Sequence, residues 1–141
     1  MNNEFKLDSA FNNQDYKIGE LDLCYIYLNN NSLFPWVILI PKRNNIKEII
    51  DLTMEDQHQL IEEINLISRL MKTTFSPDKL NIASFGNLVP QLHIHIIARF
   101  MKDKAWPKPT FNFEETPYSN SLLKKTKARL INNLTELNKK I

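Results

Sequence analysis

The chain has 141 residues, which one domain with its own core accounts for at roughly 100–200 residues per domain. Its 43% hydrophobic, 10% aromatic and 24% charged residues exclude a disordered or fibrous chain, and a formal net charge of +2 excludes the strongly basic face of a nucleic-acid binder. With only Gly19 and Gly86 for glycines, neither a Walker phosphate loop nor a dinucleotide-binding fingerprint fits, so phosphate chemistry must rest on side chains.

Residues 1–141 read as a single domain without internal repeats. The start, Met1-Asn2-Asn3-Glu4, lacks the basic and apolar regions of a signal peptide, and the expectation is a cytoplasmic protein with no membrane partner. Leu21 to Leu28 is rich in aromatic and aliphatic residues and reads as a strand. It contains the one cysteine, Cys24, which excludes an intrachain disulfide and fits a reducing compartment. Asn29-Asn30-Asn31-Ser32 turns the chain into a second strand, Pro35 to Pro41. Its apolar run Trp36 to Ile40 is too short to span a bilayer and suits a central strand covered on both faces. Thr53 with Asp56 resembles a helix cap, and Leu60, Ile61, Ile64, Ile67, Leu70 and Met71 keep helical spacing to about Phe75, where Ser76-Pro77-Asp78 ends the helix. Strands at Leu80 to Ser84 and Gln91 to Phe100 follow, joined by a loop with Gly86. Trp106-Pro107-Lys108-Pro109 breaks any helix there, and Ser119 to about Asn138 forms a C-terminal helix whose lysines face solvent. Hairpin strands with two segregated helices give an α+β class built on an antiparallel sheet.

Gln91-Leu92-His93-Ile94-His95-Ile96-Ile97 is the informative stretch. Alternation along a strand puts Gln91, His93 and His95 on one face and Leu92, Ile94 and Ile96 on the other, and a slip by one residue would bury both imidazoles in the apolar layer. A solvent-facing polar strip fits this pattern. A metal site fits it as well, but needs further ligands, and His58 sits in a polar helical run while Cys24 is a lone thiol in an apolar strand. Nucleophilic catalysis is the third reading. A neutral histidine can attack phosphorus, with its tautomer set by a hydrogen bond from the other ring nitrogen to a carbonyl, and a neighbouring histidine, protonated or donating, can stabilise charge on phosphate oxygens.

The same stretch resembles the signature of the histidine-triad (HIT) family, His-φ-His-φ-His-φ-φ with φ apolar, carrying Gln91 at the first histidine position. Phe34-Pro35-Trp36 through Pro41, Leu80-Asn81-Ile82-Ala83, Gly86-Asn87-Leu88-Val89-Pro90-Gln91 and Ala105-Trp106-Pro107 extend the likeness to a bacterial branch similar to diadenosine-tetraphosphate hydrolases, over about residues 5–120. The resemblance implies a HIT-like α+β fold with a long central helix and a C-terminal helix. It further implies a homodimer, a nucleotide substrate, no cofactor or metal, and hydrolysis or nucleotidyl transfer at an α-phosphate through a nucleotidyl-histidine.

By that resemblance His93 is the nucleophile and His95 contacts phosphate, while Gln91 donates through its amide but cannot become cationic. The family's histidine after a Pro-Lys turn is replaced by Asn44, expected to act as a neutral hydrogen-bonding partner, and the acidic ribose ligand by the turn that begins at Asn29. Asn81, Gly86, Asn87 and Arg99 match positions near the substrate, with turn, cap and exposed-surface roles as the plain alternatives. Phe34 and Trp36 read as core or as a base-stacking wall. The replacements at Gln91, Asn44 and Asn29 also fit a nucleotide-binding or regulatory protein with little turnover.

Overall fold

Residues 4–139 are described in the computed structural model. The strands are β1 (Lys17–Glu20), β2 (Cys24–Leu28), β3 (Trp36–Pro41), β4 (Lys79–Ala83) and β5 (Ile94–Arg99); α1 (Met54–Phe75) lies between β3 and β4, and α2 (Asn120–Lys139) follows β5. The strands form one sheet in the order β1-β2-β3-β5-β4 with every neighbouring pair antiparallel, as expected for the α+β class.

All six residues of β3 and all six of β5 are buried, because these central strands are covered on both faces. On one face, Ile26, Val37, Leu39, Ile94 and Ile96 meet Leu60, Ile67, Leu70 and Met71 of α1 and Leu130 of α2. On the other, Tyr27, Phe34, Trp36, Ile38 and Ile97 form a second layer, closed by Phe111 and Phe113 and by Phe5, Leu7 and Phe11 of the amino-terminal arm. Helices cover one side of the sheet; loops and the arm cover the other.

The signals read for α1 act as expected at both ends. The Thr53 hydroxyl accepts the backbone N–H of Asp56 at 3.1 Å, and Ser76 ends the helix in the left-handed region at φ 51°. Asp56 does not return the cap bond to Thr53. Its carboxylate instead takes two N–H bonds from Arg43, at 2.7 and 3.0 Å, and so ties the segment after β3 to the helix start.

Two strands start more than one residue from where the sequence reading puts them, the other boundaries shifting by at most a single residue. Leu21 to Leu28 is not one strand, since Leu21, Asp22 and Leu23 turn between β1 and β2. Glu63 of α1, itself buried, drives this break: its carboxylate accepts the N–H groups of Leu23 and Cys24, each at 2.8 Å, and a third hydrogen bond from Gln59 at 2.7 Å. Gln91 to His93 also precede the strand, because Leu92 N–H bonds to Ile46 O at 2.9 Å and leaves the sheet ladder to begin at Ile94. Four-residue β1 with its irregular pairing around Gly19 went unread, being too short for an alternation signal.

Glu63→Ala leaves two buried backbone N–H groups without an acceptor. A loss of about 3 kcal/mol in unfolding free energy is expected, measured by urea denaturation.

Candidate active site

His95 lies on β5 opposite Ile38 of β3, and His93 immediately precedes the strand. Both side chains are buried on the face away from the helices, with ring centroids 4.8 Å apart and planes at 71°. The pair is therefore no solvent-facing strip. Aromatic rings enclose it: Phe11 lies 4.9 Å from His93, and Phe111, Trp36 and Phe85 lie 4.9, 5.6 and 6.0 Å from His95.

Two neighbours determine where the protons sit. His93 Nδ1 is 2.7 Å from the carbonyl oxygen of Gln91, a group that only accepts, so Nδ1 carries the hydrogen and the neutral ring keeps its lone pair on Nε2. Trp36 Nε1–H, a group that only donates, gives its hydrogen bond to His95 Nδ1 at 2.9 Å, so the hydrogen of the neutral His95 ring is on Nε2. Adjacent imidazoles thus hold opposite tautomers. Burial, reinforced by His93 alongside, pushes the His95 pKa down from 6.5 to about 4, so of the two roles read from the sequence the donating one fits and the protonated one does not. His95 Nε2 is buried with no partner among the described residues, a donor whose desolvation a ligand oxygen would relieve.

A cleft of about 280 Å³ opens on the same side of the sheet, lined by Ala10, Phe11, Asn13, Tyr16, Tyr27, Asn29, Asn30 and Ile38. Phe11 contacts both this cleft and His93, so the two share a wall. Asn29 lines the cleft; its neighbours Asn30 and Asn31 use their side-chain oxygens on the backbone N–H groups of Tyr118, Leu33 and Thr116.

Other expected site residues are engaged elsewhere. The Gln91 amide does not donate into the site; its Oε1 accepts Asp8 N–H at 2.8 Å and its Nε2 donates to Lys6 O at 3.0 Å. Asn44 does not reach the histidines either, since it bonds Lys6 N–H and Glu4 O, both at 2.9 Å. Arg99 is closed to solvent, with its guanidinium on both oxygens of Asp103, on Asn81 Oδ1 and on Lys108 O, and it lies 5.7 Å from each of the Phe34 and Trp106 rings. With four of its five N–H groups bonded, it anchors the loop after β5 rather than meeting phosphate, and Asn81 is occupied as its partner. Burial raises the Asp103 carboxyl, but the Arg99 bond and the N–H groups of Phe100 and Trp106 outweigh it and hold it at about 2.

Gly86 takes φ 84°, where a Cβ would come 3.4 Å from Val89 O, and its turn sets Phe85 against His95 and Phe111. Asn87 is exposed on that loop. His58 is exposed on α1 and Cys24 belongs to the helix-side core, so neither joins the histidine pair. Sequence reasoning missed the amino-terminal arm and the Trp36–His95 bond. The aromatic residues at 5, 11 and 36 were visible, but their partners lie 20, 82 and 59 positions away.

Residues 10–102 match the family model described as HIT domain. The chain belongs to the HIT family. Crystal structures of histidine-triad proteins show the same fold along nearly the whole chain. One from Sinorhizobium meliloti is 38% identical with a TM-score of 0.87, covering 92% of this chain and 96% of its own. One from Marinobacter aquaeolei is 38% identical with a TM-score of 0.89, covering 95% and 98%. A bis(5'-adenosyl)-triphosphatase of Saccharomyces cerevisiae is 32% identical in an alignment 82 residues long that covers 54% of this chain and 40% of that protein. The chain thus spans about two fifths of the length of that relative.

The displaced titration of His95 has a direct consequence for stability. Between pH 6.5 and about 4 the unfolded ring binds a proton that the folded ring refuses, so the His95 contribution falls as pH drops through that window. Urea titrations should show the decline, less steep in His95→Phe. In Trp36→Phe, imidazole NMR should show the His95 pKa moving up and Nδ1 becoming protonated. For the Arg99 cluster, Arg99→Met leaves Asp103 buried and unpaired, and a loss of about 3–5 kcal/mol is expected in denaturant unfolding.

Proposed function

We propose that this HIT protein is a nucleotide hydrolase or nucleotidyl transferase acting at the α-phosphate of nucleotide conjugates, such as dinucleoside polyphosphates or nucleoside phosphoramidates. The observation that carries it is the pair of ring contacts, His93 Nδ1 on Gln91 O and His95 Nδ1 on Trp36 Nε1–H, which in the neutral rings leave a lone pair on His93 Nε2 and an unpartnered Nε2–H on His95. One is a nucleophile and the other a donor aimed where charge develops.

In the proposed reaction on a dinucleoside polyphosphate the His93 Nε2 lone pair attacks the α-phosphorus and the P–O bond to the leaving polyphosphate breaks, its oxygen taking the electron pair; the amine of a phosphoramidate takes a proton from solvent as its P–N bond breaks. A nucleotidyl-imidazolium results. Its Nδ1–H remains on Gln91 O, which favours the ring as it gains positive charge, while His95 Nε2–H donates to a phosphoryl oxygen. Water or another acceptor then attacks phosphorus and loses its proton to solvent, the bond from phosphorus to His93 Nε2 breaks with its electron pair returning to Nε2, and neutral His93 is restored. A polyphosphate leaves as an anion and needs no proton at departure, which suits a site where His95 stays neutral.

The nucleoside would occupy the cleft against Phe11, Tyr27 and Ile38, with Asn29 offering an amide to the ribose hydroxyls. A cleft near 280 Å³ lies at the lower end of small-ligand sites, enough for one nucleoside and leaving the second half of a dinucleotide outside. The yeast relative, named as a bis(5'-adenosyl)-triphosphatase, supports this substrate class. The same reading carries a cytoplasmic homodimer, to which the open edge at β4 with its exposed Ile82 is suited; among the described residues no helix is long and apolar enough to cross a membrane.

His93→Ala should reduce hydrolysis of diadenosine triphosphate and tetraphosphate to background, and His95→Ala should cost about 10- to 1000-fold, the scale of removing one charge-stabilising donor. Mass spectrometry after quenching should find a nucleotidyl adduct on His93. Tight nucleotide binding without turnover would replace this mechanism with the binding-protein reading, and unaltered hydrolysis in His93→Ala would overturn it.

A further inference from the structure

Two of the side chains that depart from the HIT pattern, Gln91 and Asn44, do the same thing. An extended chain presents the N–H and C=O of every second residue to one side. Residues 4, 6 and 8 face Asn44 and Gln91 in this way: Asn44 takes Lys6 N–H and donates to Glu4 O, while Gln91 donates to Lys6 O and takes Asp8 N–H, all between 2.8 and 3.0 Å. Two carboxamides thereby reproduce one edge of a β-ladder. A carboxamide suits both places, because each must donate one hydrogen bond and accept another across adjacent backbone groups.

The arm then continues into the cleft. Asp8 Oδ1 caps the next turn through Ala10 N–H at 2.9 Å, and Ala10, Phe11 and Asn13 form a wall of the cleft, with Phe11 edge-on to His93. On the other side of the arm, Phe5 and Leu7 pack on the loop-side core, Phe5 lying 5.9 Å from Tyr25. Gln91 works in two directions at once: its side chain grips the arm and its backbone oxygen holds His93 Nδ1.

We propose that Asn44 and Gln91 are positioning residues that clasp residues 4–8 and so hold Phe11 as the nucleoside-facing wall of the cleft, an inference that rests on the function proposed above. Their effect is on nucleotide affinity. Where a histidine at these positions would address the phosphate directly, here the amides shape the pocket from behind, through the arm.

The test uses Asn44→Asp and Gln91→Glu, which keep shape and acceptor but remove the donor, with Phe11→Ala as the wall variant. Hydrogen exchange of the Lys6 and Asp8 amides is read in the free protein, and AMP affinity together with KM and kcat for diadenosine triphosphate in parallel. In Asn44→Asp, exchange at residues 4–8 should speed up by about tenfold or more, AMP affinity should fall about tenfold, and KM should rise more than kcat falls. Gln91→Glu should loosen the arm likewise and reduce kcat as well, since it also disturbs the carbonyl on His93. Phe11→Ala should reproduce the affinity loss while exchange at residues 4–8 stays as in the wild type. Unaltered exchange in both amide variants, or a loosened arm with AMP affinity and KM at wild-type values, overturns the inference. A wild-type chain that neither binds AMP nor hydrolyses the dinucleotide overturns the function beneath it, whatever the exchange shows.

Discussion

The pairing of β3 with β5 is the constraint from which the site follows. Ile38 opposite His95 and Trp36 opposite Ile97 place the indole one diagonal step from the imidazole, within hydrogen-bond reach. Ile94 and Ile96 hold this register, since a slip by one residue would turn them out of the helix-side core and drive His95 into it. Hydrophobic burial on one face of β5 thus fixes proton positions on the other.

The two faces of the sheet divide the work. The helix side carries the larger apolar cluster, with α1 seated on it by Glu63. Loops cover the opposite side, their backbone groups satisfied by side chains: Asp103 holds Phe100, Ala105 and Trp106, and Asn31 holds Leu33 and Thr116. This face is built from loops with a single glycine because short polar side chains take over the backbone pairing that strands or helices would provide. Gly86, at a turn no other residue takes easily, is the one place on this face where the chain relies on glycine's freedom.

What was legible in the sequence is what periodicity encodes. The alternation from Leu92 to Ile97 placed the histidines on one face, and the spacing from Leu60 to Met71, with Thr53 before it and Ser76 after, marked α1. The resemblance of residues 91–97 and their neighbours identified the family. Long-range pairing between polar groups was not legible. Gln91 and Asn44 looked like substitutes for histidines facing a substrate, because nothing local reveals that Lys6, 85 and 38 positions away, is their partner. Arg99 looked like a phosphate ligand because its position suited one, while Asp103, four residues on, gave only a common i,i+4 spacing. Side chains with several donors or acceptors have many possible partners, and only the packed chain selects among them.

Cys24 has a use that its chemistry does not suggest. It is fully buried on β2, and burial together with the Glu63 carboxylate pushes its thiol far above the ordinary range, so little thiolate is available for reaction while the sheet is closed. Being the chain's single thiol, it makes the rate of modification by an alkylating reagent a clock for the opening of β2. The molecule therefore carries an intrinsic probe of its own cooperativity. Whether a ligand at the histidines slows that clock would measure, without any added label, how far the loop face and the helix face are bound into one unit.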